Sequence, residues 1–187
     1  MSTTSPVRAL ARPLELVTAA SFDGRTRLTG CGWVLAHPTS TRSWPGGRYV
    51  DVGAHTAVEA ELLALRVGLE AAFARFHGLA DGTIPLVVHA SSHTVARLVG
   101  DPGRAARRST GFLAQRVATL IAGADVAVRV CRPAHRLTVG AEQLAALTRS
   151  NRAARLGVTA CRVQYEQLCA SIVAGYGQQS TVVARAA

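Results

Sequence analysis

The 187-residue chain contains no lysine, so all of its 21 basic residues are arginine. Against 11 acidic residues, they give a formal net charge of +10. A GC-rich bacterial genome, whose codons favour Arg, Ala, Gly and Val, accounts for the missing lysine but not for the excess of charge. Such an excess is typical of proteins that bind a polyanion, and arginine contacts phosphate in a bidentate way that lysine cannot. The alternative is a solvated basic surface.

Other absences narrow the class of protein. No apolar run approaches the ~18 residues that a membrane span needs, and residues 1–13 lack the apolar core of a signal peptide. We therefore expect no membrane association. The cysteines form no CxxC pair, which favours reduced thiols in a cytoplasmic protein. They are Cys31, Cys131, Cys161 and Cys169.

The pattern of apolar residues predicts strands followed by alternating helices and strands. Strands are predicted at 14–18, 30–37, 48–52, 84–90 and 126–130. Helices are predicted at 58–76, 92–99, 111–121, 141–156 and 160–174. The first helix has the clearest pattern, because its apolar residues recur at spacings of about 3 and 4, with Thr56 as the candidate N-cap.

These elements divide the chain into four parts. Residues 1–13 are predicted to be a flexible leader and 14–156 a single α/β domain. Residues 157–175 are predicted to form an accessory helix, and 176–187 a tail.

Several short motifs occur in a characteristic order. They are Val17-Thr18-Ala19-Ala20-Ser21, Gly30-Cys31-Gly32-Trp33-Val34, Glu61-Leu62-Leu63-Ala64-Leu65, Val87-Val88-His89-Ala90-Ser91-Ser92 and Arg132-Pro133-Ala134-His135. In order and spacing, the chain resembles the ribonuclease H family over roughly residues 14–155. The resemblance implies a five-stranded mixed sheet, with an antiparallel meander and parallel strands, flanked by helices and extended by a C-terminal helix.

The resemblance also implies a site, since the family uses four carboxylates to hold two Mg²⁺ ions. The first and third carboxylates fall on Ala19 and Ser91, which lack a carboxylate. The second and fourth fall on Glu61 and Glu142, and a family histidine falls on His135. Each match has an ordinary alternative: a solvated glutamate at Glu61, a glutamate favoured by the helix dipole at Glu142, a helix-capping serine and a loop histidine.

Charge decides the expected activity. Two carboxylates bring about −2 to a site that must balance about +4 from two divalent ions, and a serine hydroxyl is a poor ligand for Mg²⁺. We therefore expect no metal and no other cofactor, and hydrolysis that is weak or lost. The first hypothesis is a ribonuclease H-like protein that binds nucleic acid, with Glu61, Glu142 and His135 as a remnant site.

Arginines define the predicted binding surface. Arg104, Arg107 and Arg108 stand where many family members carry a basic helical segment for the duplex. Arg132 and Arg136 are expected to flank the cleft, where Ser91 can donate to a phosphate. Aromatic residues make up only 5% of the chain, which argues against a stacking platform for single strands. A duplex fits better, in the form of an RNA–DNA hybrid or a folded RNA.

Three other hypotheses stay open. In the first, the chain is an active but divergent ribonuclease H that uses Mg²⁺ or Mn²⁺. In the second, the chain is a structural adaptor whose C-terminal helix docks a protein partner or a second copy. In a minor alternative, His89 and His93 bind zinc, although they are predicted to lie on a strand and at a helix start.

Overall fold

Five strands form one mixed sheet in this computed structural model, which describes residues 12–38, 42–50, 54–90, 92–130 and 136–185. The strands are β1 (Leu14–Phe22), β2 (Thr29–Ala36), β3 (Ser43–Val50), β4 (Leu86–Ala90) and β5 (Val126–Val130). Their order across the sheet is β3-β2-β1-β4-β5. The first three strands are antiparallel, while β4 and β5 run parallel to β1. The predicted sheet is therefore confirmed.

In the described part of the chain, six helices and one 3₁₀ turn connect and cover the strands. The helices are α1 (Ala57–Arg75), α2 (His77–Ala80), α3 (His93–Gly100), α4 (Arg108–Ile121), α5 (Arg136–Ala153) and α6 (Val158–Arg185), and the turn is Pro102–Arg104. The order agrees with the predicted one except for the short α2. None of the described helices combines the length and the apolar character that crossing a membrane requires.

Helices α1, α3 and α4 cover one face of the sheet. The Thr56 side chain accepts a hydrogen bond from the Glu59 backbone N–H, which confirms Thr56 as the N-cap of α1. The apolar stripe of α1, including Leu62, Leu65 and Leu69, is buried against β1, β4 and the two other helices. Burial of leucine side chains of this kind stabilises the fold by about 1.5–3 kcal/mol each.

Helix α5 covers the other face and lies unusually close to β2. A Cβ atom at Gly32 would collide with the Ala141 carbonyl oxygen and lie 2.6 Å from the Ala145 nitrogen. A Cβ atom at Gly30 would lie 2.7 Å from the Arg149 nitrogen. The two glycines thus leave the helix backbone resting directly on the strand.

Helix α6 lies beside α5 and is fixed to the sheet by two tyrosines. The Tyr165 hydroxyl accepts a hydrogen bond from the Gly47 backbone N–H at 2.9 Å. The Tyr176 hydroxyl donates to the His37 carbonyl oxygen at 2.8 Å. Burial raises the pKa of Tyr165 to about 12, so this hydroxyl stays protonated at neutral pH.

Several boundaries differ from those predicted, including those of β3 and α6. Strand β3 begins at Ser43 rather than at residue 48, because Pro45, Gly46 and Gly47 belong to the strand instead of a turn. An edge strand tolerates proline, and a Cβ atom at Gly46 would enter the Trp33 ring. Helix α6 continues to Arg185, where a tail was predicted from residue 176. Of the predicted leader, only residues 12 and 13 are described.

Candidate functional site

The predicted site residues lie around the point where β1 and β4 separate. The last described pair between these strands is Val17 opposite His89. Strand β4 ends at Ala90, whereas β1 continues to Phe22. Ala19 therefore lies on the stretch of β1 beyond this pairing, where side chains from both faces of the sheet can approach.

Glu61 reaches this point from the second turn of α1. It is half-buried, and its Oε2 accepts a hydrogen bond of 2.7 Å from the Ser92 hydroxyl. Ser92 is also the N-cap of α3, because its hydroxyl oxygen accepts from the Val95 N–H. The carboxylate of Glu61 is thereby held beside the C-terminal end of β4, and Ser92 is the capping serine of this segment.

Ala19 contributes only a methyl group, and that group is buried. Its exposed fraction is 5%, and it packs in an apolar cluster formed by β1, β2 and α5. Leu137, Ala141 and Ala145 of α5 belong to this cluster, together with Tyr176 of α6. The position that matches the family's first carboxylate is thus part of the hydrophobic core.

An arginine that the sequence analysis did not identify contacts β1 two residues beyond Ala19. The half-buried Arg149 of α5 donates from Nε to the Ser21 hydroxyl at 2.8 Å. Ser21 is two residues after Ala19 and points to the same side of β1, about 7 Å along the strand. The guanidinium brings a permanent positive charge and further N–H donors to this site. Arg149 follows Glu142 by seven residues, and residues seven apart lie on the same face of a helix. This spacing was the sequence signal that could have identified Arg149.

Glu142 occupies the second turn of α5 and is exposed. A separation of seven residues places it on the same flank of the helix as Arg149, which faces β1. The predicted start of this helix at residue 141 is wrong, because α5 begins at Arg136. Leu137 is buried one turn before Ala141 and extends the apolar stripe through the sequence Thr-Val-Gly, which had indicated a loop.

For four other predicted site residues, no side-chain position is described. Ser91, Arg132 and His135 lie outside the described residues. Arg136 is the first residue of α5, and only its backbone is described.

The predicted basic cluster lies between α3 and α4. Arg104 closes the 3₁₀ turn, Arg107 is the N-cap of α4 and Arg108 is its first residue, and all three are exposed. Arg104 Nε lies 3.1 Å from Asp101 Oδ2, in a pair that is mostly exposed to solvent. Arginines at a helix N-terminus oppose the helix dipole, so an anion bound there would relieve the repulsion.

Comparison with solved structures identifies the architecture. LC11-RNase H1, isolated from compost, superposes with a TM-score of 0.62 at 15% identity, covering 75% of this chain and 98% of its own. RNase H1 from Halobacterium salinarum superposes with a TM-score of 0.56 at 20% identity, covering 77% and 99%. The N-terminal RNase H domain of a Mycobacterium tuberculosis protein gives 0.58 at 18% identity, covering 76% and 98%.

The chain has the ribonuclease H fold. The predicted resemblance is thus confirmed for the architecture. No protein-family model matches the sequence, and no curated protein matches it. The shared architecture therefore rests on structure rather than on sequence similarity.

Of the four positions that match the family's Mg²⁺-binding carboxylates, the described residues include Ala19, Glu61 and Glu142. Mg²⁺ prefers oxygen ligands, carboxylates above all. Ala19 offers no ligand, and the positively charged Arg149 is bonded to Ser21, two residues further along β1. Among the described residues, no three His, Cys, Asp or Glu side chains come together in a way that could hold a metal ion. The histidines of the zinc hypothesis belong to different elements, His89 to β4 and His93 to α3.

Glu59, a carboxylate that the sequence analysis did not identify, fixes the position of the basic cluster. Glu59 of α1 is only 1% exposed. Its Oε1 accepts from the hydroxyls of Ser109 and Thr110 at 2.6 and 2.9 Å, and its Oε2 accepts from the His55 N–H at 2.7 Å. Glu59 therefore ties the first turn of α4 to that of α1. The spacing Thr56-x-x-Glu59, a capping-box pattern, was the available signal.

The environment of Glu59 keeps it ionised. Burial by itself raises the pKa of this carboxyl, but hydrogen bonds from Ser109, His55 and Thr110 outweigh that effect. The net result is a pKa below the ordinary value of 4.5. The carboxylate is thus charged at neutral pH and holds the N-terminus of α4 in place.

Proposed function

We propose that the chain binds a nucleic-acid duplex, as an RNA–DNA hybrid or a folded RNA, and hydrolyses it slowly or not at all. The architecture supports this proposal, because a solved structure of LC11-RNase H1 with the same fold is a complex with an RNA/DNA hybrid, at a TM-score of 0.62 and 16% identity. The net charge of +10 supports it as well. Phosphate contacts by arginine supply most of the affinity of such proteins.

One observation carries the proposal: Ser21 holds the Arg149 guanidinium two residues beyond Ala19, the residue that matches the family's first carboxylate. A fixed positive charge disfavours divalent cations there and attracts a phosphate oxygen. Because Nε already bonds to Ser21, the guanidinium plane is oriented and loses little freedom on binding. The site then holds a backbone phosphate directly, without a metal.

The exposed arginines of the basic cluster, Arg104, Arg107 and Arg108, supply the remaining contacts in this proposal. Together with Arg149 they make about four phosphate contacts. Four contacts predict that affinity falls about a hundredfold between 50 and 200 mM salt, since the slope is about 0.9 per contact.

Fluorescence anisotropy with a labelled RNA–DNA hybrid tests binding. Arg149→Gln is expected to weaken binding by about five- to tenfold and to reduce the salt slope by about 1. Arg12→Gln is the charge-matched control, because Arg12 is exposed and precedes the opposite end of β1. Equal losses in both variants would mean that Arg149 acts only through net charge, and affinity without salt dependence would contradict nucleic-acid binding.

Incubation with the hybrid and Mg²⁺ or Mn²⁺ tests the alternative of a divergent ribonuclease H. The proposal expects no cleavage above the rate without metal. Metal-dependent cleavage that Glu61→Gln abolishes would establish the alternative instead.

A second alternative, the structural adaptor, has one observation in its favour. Helix α6 exposes apolar side chains, with Val158 85%, Val163 45% and Val173 38% exposed. An apolar docking surface would bind with little dependence on salt, whereas duplex binding weakens steeply. The salt series on the hybrid therefore separates the two, and sedimentation of the chain alone detects a second copy.

A further inference from the structure

A second basic site lies away from the point where β1 and β4 separate. A cleft of about 1080 Å³ opens between β3, the C-terminal end of α5 and the first turns of α6. Its volume is slightly above the usual range of small-molecule sites, about 300–1,000 Å³. The polar side chains that matter here are Arg48, Tyr49, Arg152, Arg155, Arg162 and Tyr165.

Charge is the first feature of this cleft, because four arginines line it and, among the described residues, no acidic one does. One of them, Arg162, lies 3.7 Å from Glu166, but both side chains are mostly exposed and the pair is weak. Four like charges around one cleft repel one another. A ligand with several negative charges would relieve this repulsion.

Apolar surface is the second feature. Leu147, Leu156 and Val158 line the same cleft, and the last two are 40% and 85% exposed. Tyr49 adds an aromatic ring, which lies 5.0 Å from the guanidinium carbon of Arg152. A bare anion would leave this apolar surface in water, whereas a ligand with a planar body would cover it.

We propose that this cleft binds a free nucleotide, with its phosphates on the arginines and its base against the apolar side chains and Tyr49. The base would lie towards Leu147 and Leu156, and the phosphates towards Arg152 and Arg155. The inference goes beyond the proposed binding of a duplex and does not depend on it. The cleft is formed by β3, α5 and α6, whereas the basic cluster follows α3 on the other face of the sheet. Arg149, the other proposed duplex contact, belongs to α5 but does not line the cleft.

Calorimetric titration of the full chain with ATP, GTP and UTP tests the proposal, with inorganic tripolyphosphate and adenosine as partial ligands. At least one nucleotide is expected to bind at least about tenfold more tightly than tripolyphosphate, since only the nucleotide covers the apolar surface. Adenosine, which has no charge for the arginines, is expected not to bind measurably. Tripolyphosphate that binds as tightly as every nucleotide, or no binding of any nucleotide, would overturn the proposal.

Variants locate the site. Arg152→Gln is expected to weaken nucleotide binding by about tenfold or more, the loss of one charge-assisted contact. Arg155→Gln, in the exposed turn after α5, gives a second measurement if the first variant fails to fold. Arg97→Gln, exposed on α3, is the charge-matched control and is expected to stay within about twofold. Equal weakening in all three would place the site elsewhere.

The hybrid titration separates this proposal from that of duplex binding. Arg152→Gln is expected to lower hybrid affinity no more than Arg12→Gln does. Nucleotide binding without hybrid binding would support this site and contradict the proposed function. Hybrid binding without nucleotide binding would support the proposed function and contradict this site.

Discussion

Replacing Glu59 by glutamine tests how the basic cluster is held. The two hydroxyls of Ser109 and Thr110 donate to Oε1, and the His55 N–H donates to Oε2. In Glu59→Gln the amide oxygen can still accept from the hydroxyls, but the NH₂ group then faces the His55 N–H. One part-buried donor is left without its protein acceptor, which costs about 1–3 kcal/mol, and two charge-assisted bonds become neutral, at about 0.5–1 kcal/mol each. We therefore expect the free energy of unfolding to fall by about 2–5 kcal/mol.

The same variant predicts a change with pH. Since the pKa of Glu59 is lower in the folded protein than the ordinary 4.5, its carboxylate stabilises the fold above about pH 4.5. This contribution is lost as the pH falls through the lower folded pKa. The difference between wild type and Glu59→Gln is expected to be largest at neutral pH and to shrink below pH 4.5. Urea unfolding followed by circular dichroism at a series of pH values measures it.

Glu70→Gln is the matched control on the same helix. Glu70 is exposed and lies 3.5 Å from Arg66 in a surface pair, so its replacement is expected to change stability by less than about 0.5 kcal/mol. If Glu59→Gln changed the free energy of unfolding as little as the control does, or if the difference did not vary with pH, the anchoring role of Glu59 would be refuted.

Three further changes are expected to alter stability, each measured by urea unfolding. Gly32→Ala should cost about 1–3 kcal/mol or more because its Cβ enters the backbone of α5, whereas Gly175→Ala, with nothing within 4 Å, should be neutral or stabilising. Ser92→Ala should cost about 1–2 kcal/mol, since it removes the cap of α3 and the bond to Glu61. Tyr176→Phe should cost about 1 kcal/mol, because one hydrogen bond is lost and the ring remains. An unchanged urea midpoint in Gly32→Ala, Ser92→Ala or Tyr176→Phe would contradict the contact that the variant removes or disturbs.

The sequence predicted the order of elements well because the hydrophobic period differs between them. Leu62, Leu65 and Leu69 share a helical face, and Val126 to Val130 is a strand with the predicted bounds. The start of α5 was missed because Thr138, Val139 and Gly140 favour helix poorly. Their helical conformation depends on the contact of α5 with β2, which local sequence does not show.

Sequence pattern could nominate a site residue only where the residue type and its element were both apparent. Glu61 is such a residue: its side chain lies beside the C-terminal end of β4, and its role in a site stays a prediction. Arg149 was missed because its role depends on a contact with Ser21, 128 residues earlier in the chain. Glu59 was missed because its partners, Ser109 and Thr110, come from a helix 50 residues away. The bonds that place both residues join distant segments, so local pattern could not reveal them.

The tyrosine contact of α6 with β3 also bears on self-association. An outer strand with open N–H and C=O groups can recruit a strand from another molecule, the first step towards fibrils. In β3, Pro45 has no N–H to offer, and the Gly47 N–H is already bonded to the Tyr165 hydroxyl. Helix α6 thus protects the edge strand β3 from pairing with another molecule. A chain shortened before Val158 would expose this edge to intermolecular strand pairing.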